Sequence, residues 1–245
     1  MSSRPVFLTS DVHLGAVPPE TERSFHRWIE TAATEASEIL INGDLFDFWF
    51  EYRNSIPGGH TRTLDLLTRV VADGIPITLM GGNHDWWGGR HLTEQVGLIF
   101  HQDPIVRDVA GKRTLIAHGD GLGRGDMGYK ILRWLLRSPL TVASFRQLPH
   151  GLGEWLGARV SRTNERRGSG HGPNPERVRE LRTWALEKLD EDPSLELIAL
   201  GHTHQPEVTE ARTGRWILNS GDWVYRQTYV ILSEGEPPEL LDWNG

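Results

Sequence analysis

Short apolar runs alternate along this chain with stretches whose apolar residues recur every three or four positions, and the alternation predicts an order of elements. Val6 to Ser10 reads as a buried strand, and Glu20 to Ala36 as a helix with Phe25, Trp28, Ile29, Ala32, Ala33 and Ala36 on one face. Glu38 to Ile41 is the next strand. Thr61 to Asp73 groups Leu64, Leu67, Val70 and Val71, Gly74 suits the helix end, and Ile75 to Met80 returns as a strand. This β-α-β-α-β order predicts a parallel sheet covered by helices, with ligands gathering at the carboxyl ends of its strands.

Farther along, Arg113 to Ala117 and Leu195 to Leu200 read as strands, and Pro175 to Asp190 as a helix. Glu207 to Thr213, Arg215 to Asn219 and Tyr225 to Leu232 alternate as antiparallel strands do, with Thr213-Gly214 as a turn. The expected fold class is α/β, a two-sheet sandwich covered by helices. Between His118 and Pro175 the pattern changes. Tyr129 to Arg137 and Leu148 to Arg162 look helical, which divides the chain into a core of residues 1–120 and 173–245 and an inserted helical cap of residues 121–172. The apolar side chains of the cap, Ile131, Leu132, Leu135 and Leu136, then Leu152, Trp155, Leu156 and Val160, suit packing on the core or a surface left partly open. Ser161 to Pro173, with Arg162, Arg166 and Arg167, resembles a basic loop over a site for anions.

Composition narrows the chemistry. With 38% hydrophobic and 24% charged residues the chain is globular, and with no cysteine its metal ligands must come from His, Asp and Asn. Val6-Phe7-Leu8 is too short for a signal peptide and no run of about 18 apolar residues exists, so a cytosolic location is expected. The net charge is -7, yet residues 121–172 hold nine Arg or Lys against Asp126, Glu154 and Glu165, leaving that segment at +6 and the remainder at -13. The overall negative charge disfavours nucleic acid as a partner. No feature of the sequence sets the oligomeric state.

Five polar clusters stand where apolar runs stop: Asp11-Val12-His13, Gly43-Asp44-Leu45-Phe46-Asp47, Gly82-Asn83-His84-Asp85, His118-Gly119-Asp120 and Gly201-His202-Thr203-His204. Each alone reads as an ordinary turn. Together they suggest one site for two divalent cations, because imidazole, carboxylate and amide oxygens suit manganese, iron or zinc and one carboxylate can bridge a pair. Asp11 and His13 can face the same side, Asp44 is the natural bridge, and Asp47 can orient a His by accepting its second N–H. Asn83 offers a neutral oxygen, while His84 projects toward a substrate with Asp85 expected to hold its ring. His118, His202 and His204 complete the donor set. A pair of such ions about 3.5–4 Å apart serves hydrolysis of phosphoesters or phosphoanhydrides with water as nucleophile. Neither a nucleophile-elbow Ser nor a phosphate-binding Gly-rich loop ending in Lys-Ser or Lys-Thr is present.

In their order and spacing these clusters resemble the calcineurin-like metallophosphoesterases. The resemblance implies a four-layer α/β/β/α sandwich, with Asp11, His13, Asp44 and His204 on one metal and Asp44, Asn83, His118 and His202 on the other. Within that superfamily Ser10-Asp11-Val12-His13-Leu14, Gly43-Asp44-Leu45-Phe46, His118-Gly119-Asp120 and Asp126-x-Gly128-Tyr129 are similar to the UDP-2,3-diacylglucosamine pyrophosphohydrolases of lipid A biosynthesis. That likeness implies two divalent ions, manganese first and iron or zinc as alternatives, and catalytic roles for His84 and Asp85. It also implies substrate contacts from Asn83, His84, Asp126, Tyr129, Arg162, Asn164, Arg167 and His202. The implied partner is a UDP-linked diacyl sugar lipid, met by a cytoplasmic protein in peripheral contact with the inner membrane. His84 stands where many of those enzymes carry Arg. A soluble phosphodiesterase or nucleotide phosphatase, and a scaffold that merely keeps the fold, are the competing readings.

Overall fold

In the first strand, β1 (Val6–Thr9), Val6 and Leu8 point to one side and Phe7 to the other, and the two sets enter different cores. The computed structural model describes residues 4–53, 55–125, 127–147 and 173–245. β1, β2 (Glu38–Ile41) and β3 (Ile77–Met80) are parallel neighbours linked by α1 (Pro19–Glu35) and α2 (Thr61–Ala72), and β4 (Ile99–His101) pairs parallel to β3. On the opposite edge, β10 (Thr228–Leu232) and β11 (Glu239–Asp242) add antiparallel strands, so the order is β11-β10-β1-β2-β3-β4. A second sheet contains β5 (Ile105–Val109), β6 (Lys112–Ile116), β7 (Leu197–Leu200), β8 (Glu207–Arg212) and β9 (Arg215–Asn219), in the order β5-β6-β7-β9-β8.

Residue alternation along these strands builds the layers. Phe7, Ile39, Ile41, Ile77 and Leu79 pack with Phe25, Trp28 and Ile29 of α1 and with Leu64, Leu67 and Val70 of α2. Val6, Leu8, Leu40 and Met80 instead meet Ile116, Leu197, Ala199 and Leu218 between the sheets. On the outer face of the second sheet, Leu115, Ile198, Leu200 and Ile217 pack against Leu181, Ala185 and Leu189 of α5 (Pro175–Glu191). The result is the α/β/β/α sandwich expected from the sequence. Each fully buried Leu, Ile, Val or Phe contributes about 1.5–3 kcal/mol, so all three interfaces stabilise the strand ends that carry the site.

Boundaries shift where a local contact intervenes. The strand expected from Tyr225 begins at Thr228, because Asp222 Oδ1 accepts from the Tyr225 amide at 2.6 Å and holds a turn. The pattern also missed β4, β5 and β11, which are three to five residues long, and a π-helical turn over His91–Gln95. β5 and β6 are joined by Ala110 and Gly111 at φ 50° and 75°, the left-handed pair that a two-residue hairpin turn needs.

Of residues 121–172, expected from the sequence to form an inserted cap, the described part comprises α3 (Met127–Leu136) and α4 (Pro139–Phe145). α4 was not foreseen; it starts where the Ser138 hydroxyl accepts from the Thr141 amide at 3.2 Å and Pro139 takes the first position. Neither helix buries a residue fully, and Ile131, Trp134 and Leu140 are 62%, 73% and 82% exposed. The helix expected over Leu148 to Arg162 lies outside the described residues, as does most of the basic loop after it.

Candidate metal centre

The five clusters follow β1, β2, β3, β6 and β7, so both sheets deliver donors to one end of the sandwich. The chain must turn sharply there. Asp11, His13, Asp44, His202 and His204 sit at φ 54°, 53°, 54°, 65° and 56°, five of the seven non-glycine residues with left-handed backbone among the described residues. Such a conformation costs on the order of 1–3 kcal/mol per residue and persists where the surroundings over-determine it, commonly at functional sites. Two glycines allow the close approach. A Cβ on Gly82 would collide with the Asp44 carboxylate, and one on Gly43 (φ 89°) with the His118 ring.

Asp44 is the centre of the arrangement. Its Oδ2 lies 3.2 Å from His118 Nε2, 3.9 Å from His13 Nε2 and 3.9 Å from His84 Nε2. Its Oδ1 accepts from the His84 amide at 2.9 Å. On one side of it, His204 Nε2 approaches Asp11 Oδ1 at 3.4 Å, and the His13 and His204 rings stack with centroids 5.2 Å apart. Across the site, His202 Nδ1 lies 2.8 Å from Asn83 Oδ1, and the His118 and His202 centroids are 5.3 Å apart. The His202 amide donates to both Asp11 oxygens, at 3.1 and 3.0 Å, tying the β7 cluster to the β1 cluster.

Backbone carbonyls fix two of the imidazoles. His118 Nδ1 lies 2.8 Å from the Asn42 carbonyl and His84 Nδ1 lies 2.7 Å from the Asp47 carbonyl. A carbonyl only accepts, so each Nδ1 carries a hydrogen and each Nε2 turns toward Asp44. Asp47 Oδ1 is also 3.6 Å from His13 Nδ1 and 3.8 Å from His84 Nδ1.

The potential at the site is strongly negative. Burial disfavours charge on His13, yet Asp47, Asp44 and Asp11 outweigh it and raise the imidazole to about 9. His118 is raised well above its ordinary value, burial again being overcome, here chiefly by Asp44. Asp44 is held well below the usual carboxylate range; burial opposes this, and His118, His84 and His13 prevail. His202 is lowered to about 4, by burial first and the neighbouring His118 second.

These features fit divalent ions. Asp11, His13 and His204 bring donor atoms within 4.8 Å of one another, as do Asp44, His118 and His202, and so do His13, Asp44 and His84. His13 Nε2 is buried among the described residues without a hydrogen-bond partner, which is costly unless a cation takes the lone pair.

One expectation is corrected. Asp85 does not hold the His84 ring, which rests on the Asp47 carbonyl. The fully buried Asp85 carboxylate instead accepts from the amides of Gly82 (2.8 Å), Leu45 (2.7 Å), Asp44 (3.3 Å) and Phe46 (3.4 Å), clamping the loop after β3 to the loop after β2. Burial, then Asp44, raise its carboxyl to about 6.

Tyr129 stands beside the site, its hydroxyl 3.3 Å from Asp120 Oδ2 and its ring 6.4 Å from that of His202. Asp126, Arg162, Asn164 and Arg167 lie outside the described residues. Sequence reasoning missed Asn42, whose amide donates to the Ala117 and Ala199 carbonyls at 3.1 and 3.2 Å and so joins the two sheets under the site. Its position next to Gly43-Asp44 was the available signal.

Residues 4–206 match the family model of the calcineurin-like phosphoesterases. The chain belongs to that family. Relatives of this calcineurin-like phosphoesterase include a UDP-2,3-diacylglucosamine hydrolase from Porphyromonas gingivalis, 30% identical, with 92% of this chain and 93% of the relative covered. Another of the same name, from Ectopseudomonas mendocina, is 31% identical over 94% of this chain and 95% of its own. Among solved structures, vacuolar protein sorting 29 from Cryptosporidium parvum aligns with 99% of this chain and 97% of its own, at 14% identity and a TM-score of 0.47.

Proposed function

We propose that this calcineurin-like phosphoesterase cleaves the pyrophosphate of a UDP-linked 2,3-diacylglucosamine, releasing UMP and 2,3-diacylglucosamine 1-phosphate. The observation that carries this reading is the likeness to hydrolases of that name over more than nine-tenths of both chains. The apolar and basic insertion is the part of the chain suited to an acylated anion.

Asp11, His13, Asp44 and His204 would hold one ion, and Asp44, Asn83, His118 and His202 the other. Two divalent ions, manganese in the first instance, would supply positive charge for the phosphoryl oxygens and for activating water. His84 carries its hydrogen on Nδ1, presents Nε2 toward the reacting phosphoryl group and, when protonated there, gives a proton to the leaving oxygen. Asp85 holds the loop that aims it. Tyr129, Asn83 and His202 border the same space and would contact the substrate; the resemblance implies the same role for Asp126, Arg162, Asn164 and Arg167.

The enzyme works in the cytoplasm at the inner-membrane surface. Exposed Met127, Ile131, Trp134, Leu135 and Leu140 would enter the lipid interface. No helix among the described residues is long and apolar enough to cross a membrane. The test is UMP release by manganese-loaded protein from the lipid in mixed micelles. Cleavage of soluble nucleotide esters with the lipid untouched refutes the substrate.

A further inference from the structure

α3 and the Arg137 that follows it meet the core through charges on Asp120, Arg133 and Arg137 to which no role is given above. Asp120 Oδ2 receives Arg137 Nη2 at 2.8 Å and the Tyr129 hydroxyl at 3.3 Å, and Arg133 Nε also lies 2.8 Å from it. Arg137 does more than pair with Asp120. The same Nη2 donates to the Gly82 carbonyl at 3.3 Å, and the guanidinium lies over the Trp86 ring, 4.7 Å from its centroid. Its side chain is only 12% exposed. Gly82 and Trp86 bracket Asn83 and His84, and Asp120 follows His118 by two residues. One side chain of the cap therefore grips both loops that carry Asn83, His84 and His118. Next to it, Trp87 Nε1 donates to the Leu136 carbonyl at 3.4 Å, and Phe145 of α4 meets Phe50 edge-on with centroids 4.7 Å apart.

We infer that Arg137 is a positioning residue for the acylated substrate: it registers the cap on the Gly82–Trp86 loop, so that groups bound by the cap are held at a fixed place relative to the metal centre. This rests on the function proposed above. The loop does not need Arg137 for its own shape, because Asp85 already accepts from its Gly82 amide and clamps it to the loop after β2 through the three amides of Asp44, Leu45 and Phe46. Removing Arg137 should therefore loosen α3 against this loop and leave the donors in place. Arginine suits the task, since a planar guanidinium can stack on an indole while its N–H groups reach a carboxylate and a carbonyl, and an ammonium cannot do all three.

The test compares wild type with Arg137→Met, Arg137→Lys and Trp86→Leu on two substrates, the lipid in mixed micelles and a small aryl phosphate diester that makes no use of the cap. Arg137→Met should raise KM for the lipid roughly 10- to 100-fold, the scale of one lost charge-assisted contact, while kcat, metal content and diester hydrolysis stay within about threefold. Arg137→Lys, which keeps the ion pair, should recover part of the loss. Hydrogen exchange across 127–145 should quicken in Arg137→Met. An unchanged lipid KM with unchanged exchange overturns the inference, and so does a parallel loss on both substrates together with a lower melting temperature, which would make the residue structural. If Arg137→Met does not fold, Arg137→Lys and Trp86→Leu decide the matter by the same split. Should wild type leave the lipid intact, it is the proposed substrate that fails, and exchange alone judges the latch.

Discussion

His84 and Asp47 meet through the backbone: Nδ1 of the imidazole lies 2.7 Å from the Asp47 carbonyl and only 3.8 Å from its carboxylate. That contact directs Nε2 into the site, 3.9 Å from Asp44 Oδ2, the same distance as His13 Nε2. Distance alone leaves two roles, proton donor and metal ligand. His84→Ala should lower kcat on the order of 100-fold or more, as loss of a general acid does, with metal content per protein within twofold of wild type. Equal losses of metal and activity would make His84 a ligand.

Gly82 has no room for a methyl group, since a Cβ there would occupy the position of the Asp44 carboxylate. Asp44 is the one residue shared by both expected ion sites. Gly82→Ala should cost about 1–3 kcal/mol of stability, as overpacking does, and should deplete both metals together. Elemental analysis beside a thermal melt checks this, and a variant that retains one full equivalent of metal argues against Asp44 as the bridge.

Protons and metal compete for the same donors. His13 is raised to about 9 and His118 is raised as well, while a cation requires neutral imidazole. Apparent metal affinity should therefore rise with pH, by about tenfold per pH unit for each proton displaced, through the range in which His13 titrates near 9. For the metal-free protein the sign is opposite. A folded value near 9 against an unfolded 6.5 gives stability that is full below pH 6.5 and is lost as pH rises through 9. His202, lowered to about 4, acts in the other window and weakens the fold as pH falls from 6.5 through 4. Melts of metal-free and manganese-loaded protein from pH 6 to 9.5 should diverge as pH rises.

Much of this was legible in the sequence, for a physical reason. Strand and helix periods sort Phe7 from Leu8 and Ile39 from Leu40 into separate layers, and the family pattern names Asp11, His13, Asp44, Asn83, His118, His202 and His204. What escaped depends on direction. Asp85 is adjacent to His84 in sequence, yet its carboxylate turns to amides some forty residues away, and nothing in the spacing reveals that. In sequence Arg137 is one basic residue among nine between residues 121 and 172, and only the fold sets Asp120, Gly82 and Trp86 around it. β4 and β11, at three and four residues, are too short to show a period.

The exposed face of the insertion gives the last expectation. Ile131, Trp134 and Leu140 are 62%, 73% and 82% exposed, and burying each fully in an apolar phase is worth about 1.5–3 kcal/mol. Partial entry of all three into a lipid surface should suffice for measurable peripheral binding. Ile131→Ser, Trp134→Ser and Leu140→Ser combined should lower co-sedimentation with anionic vesicles at least about tenfold, since each 1.4 kcal/mol is a factor of ten. Hydrolysis of a soluble aryl diester should be unaffected, because the three side chains stand mostly in solvent. Vesicle binding that survives the triple change would place the membrane contact on another surface.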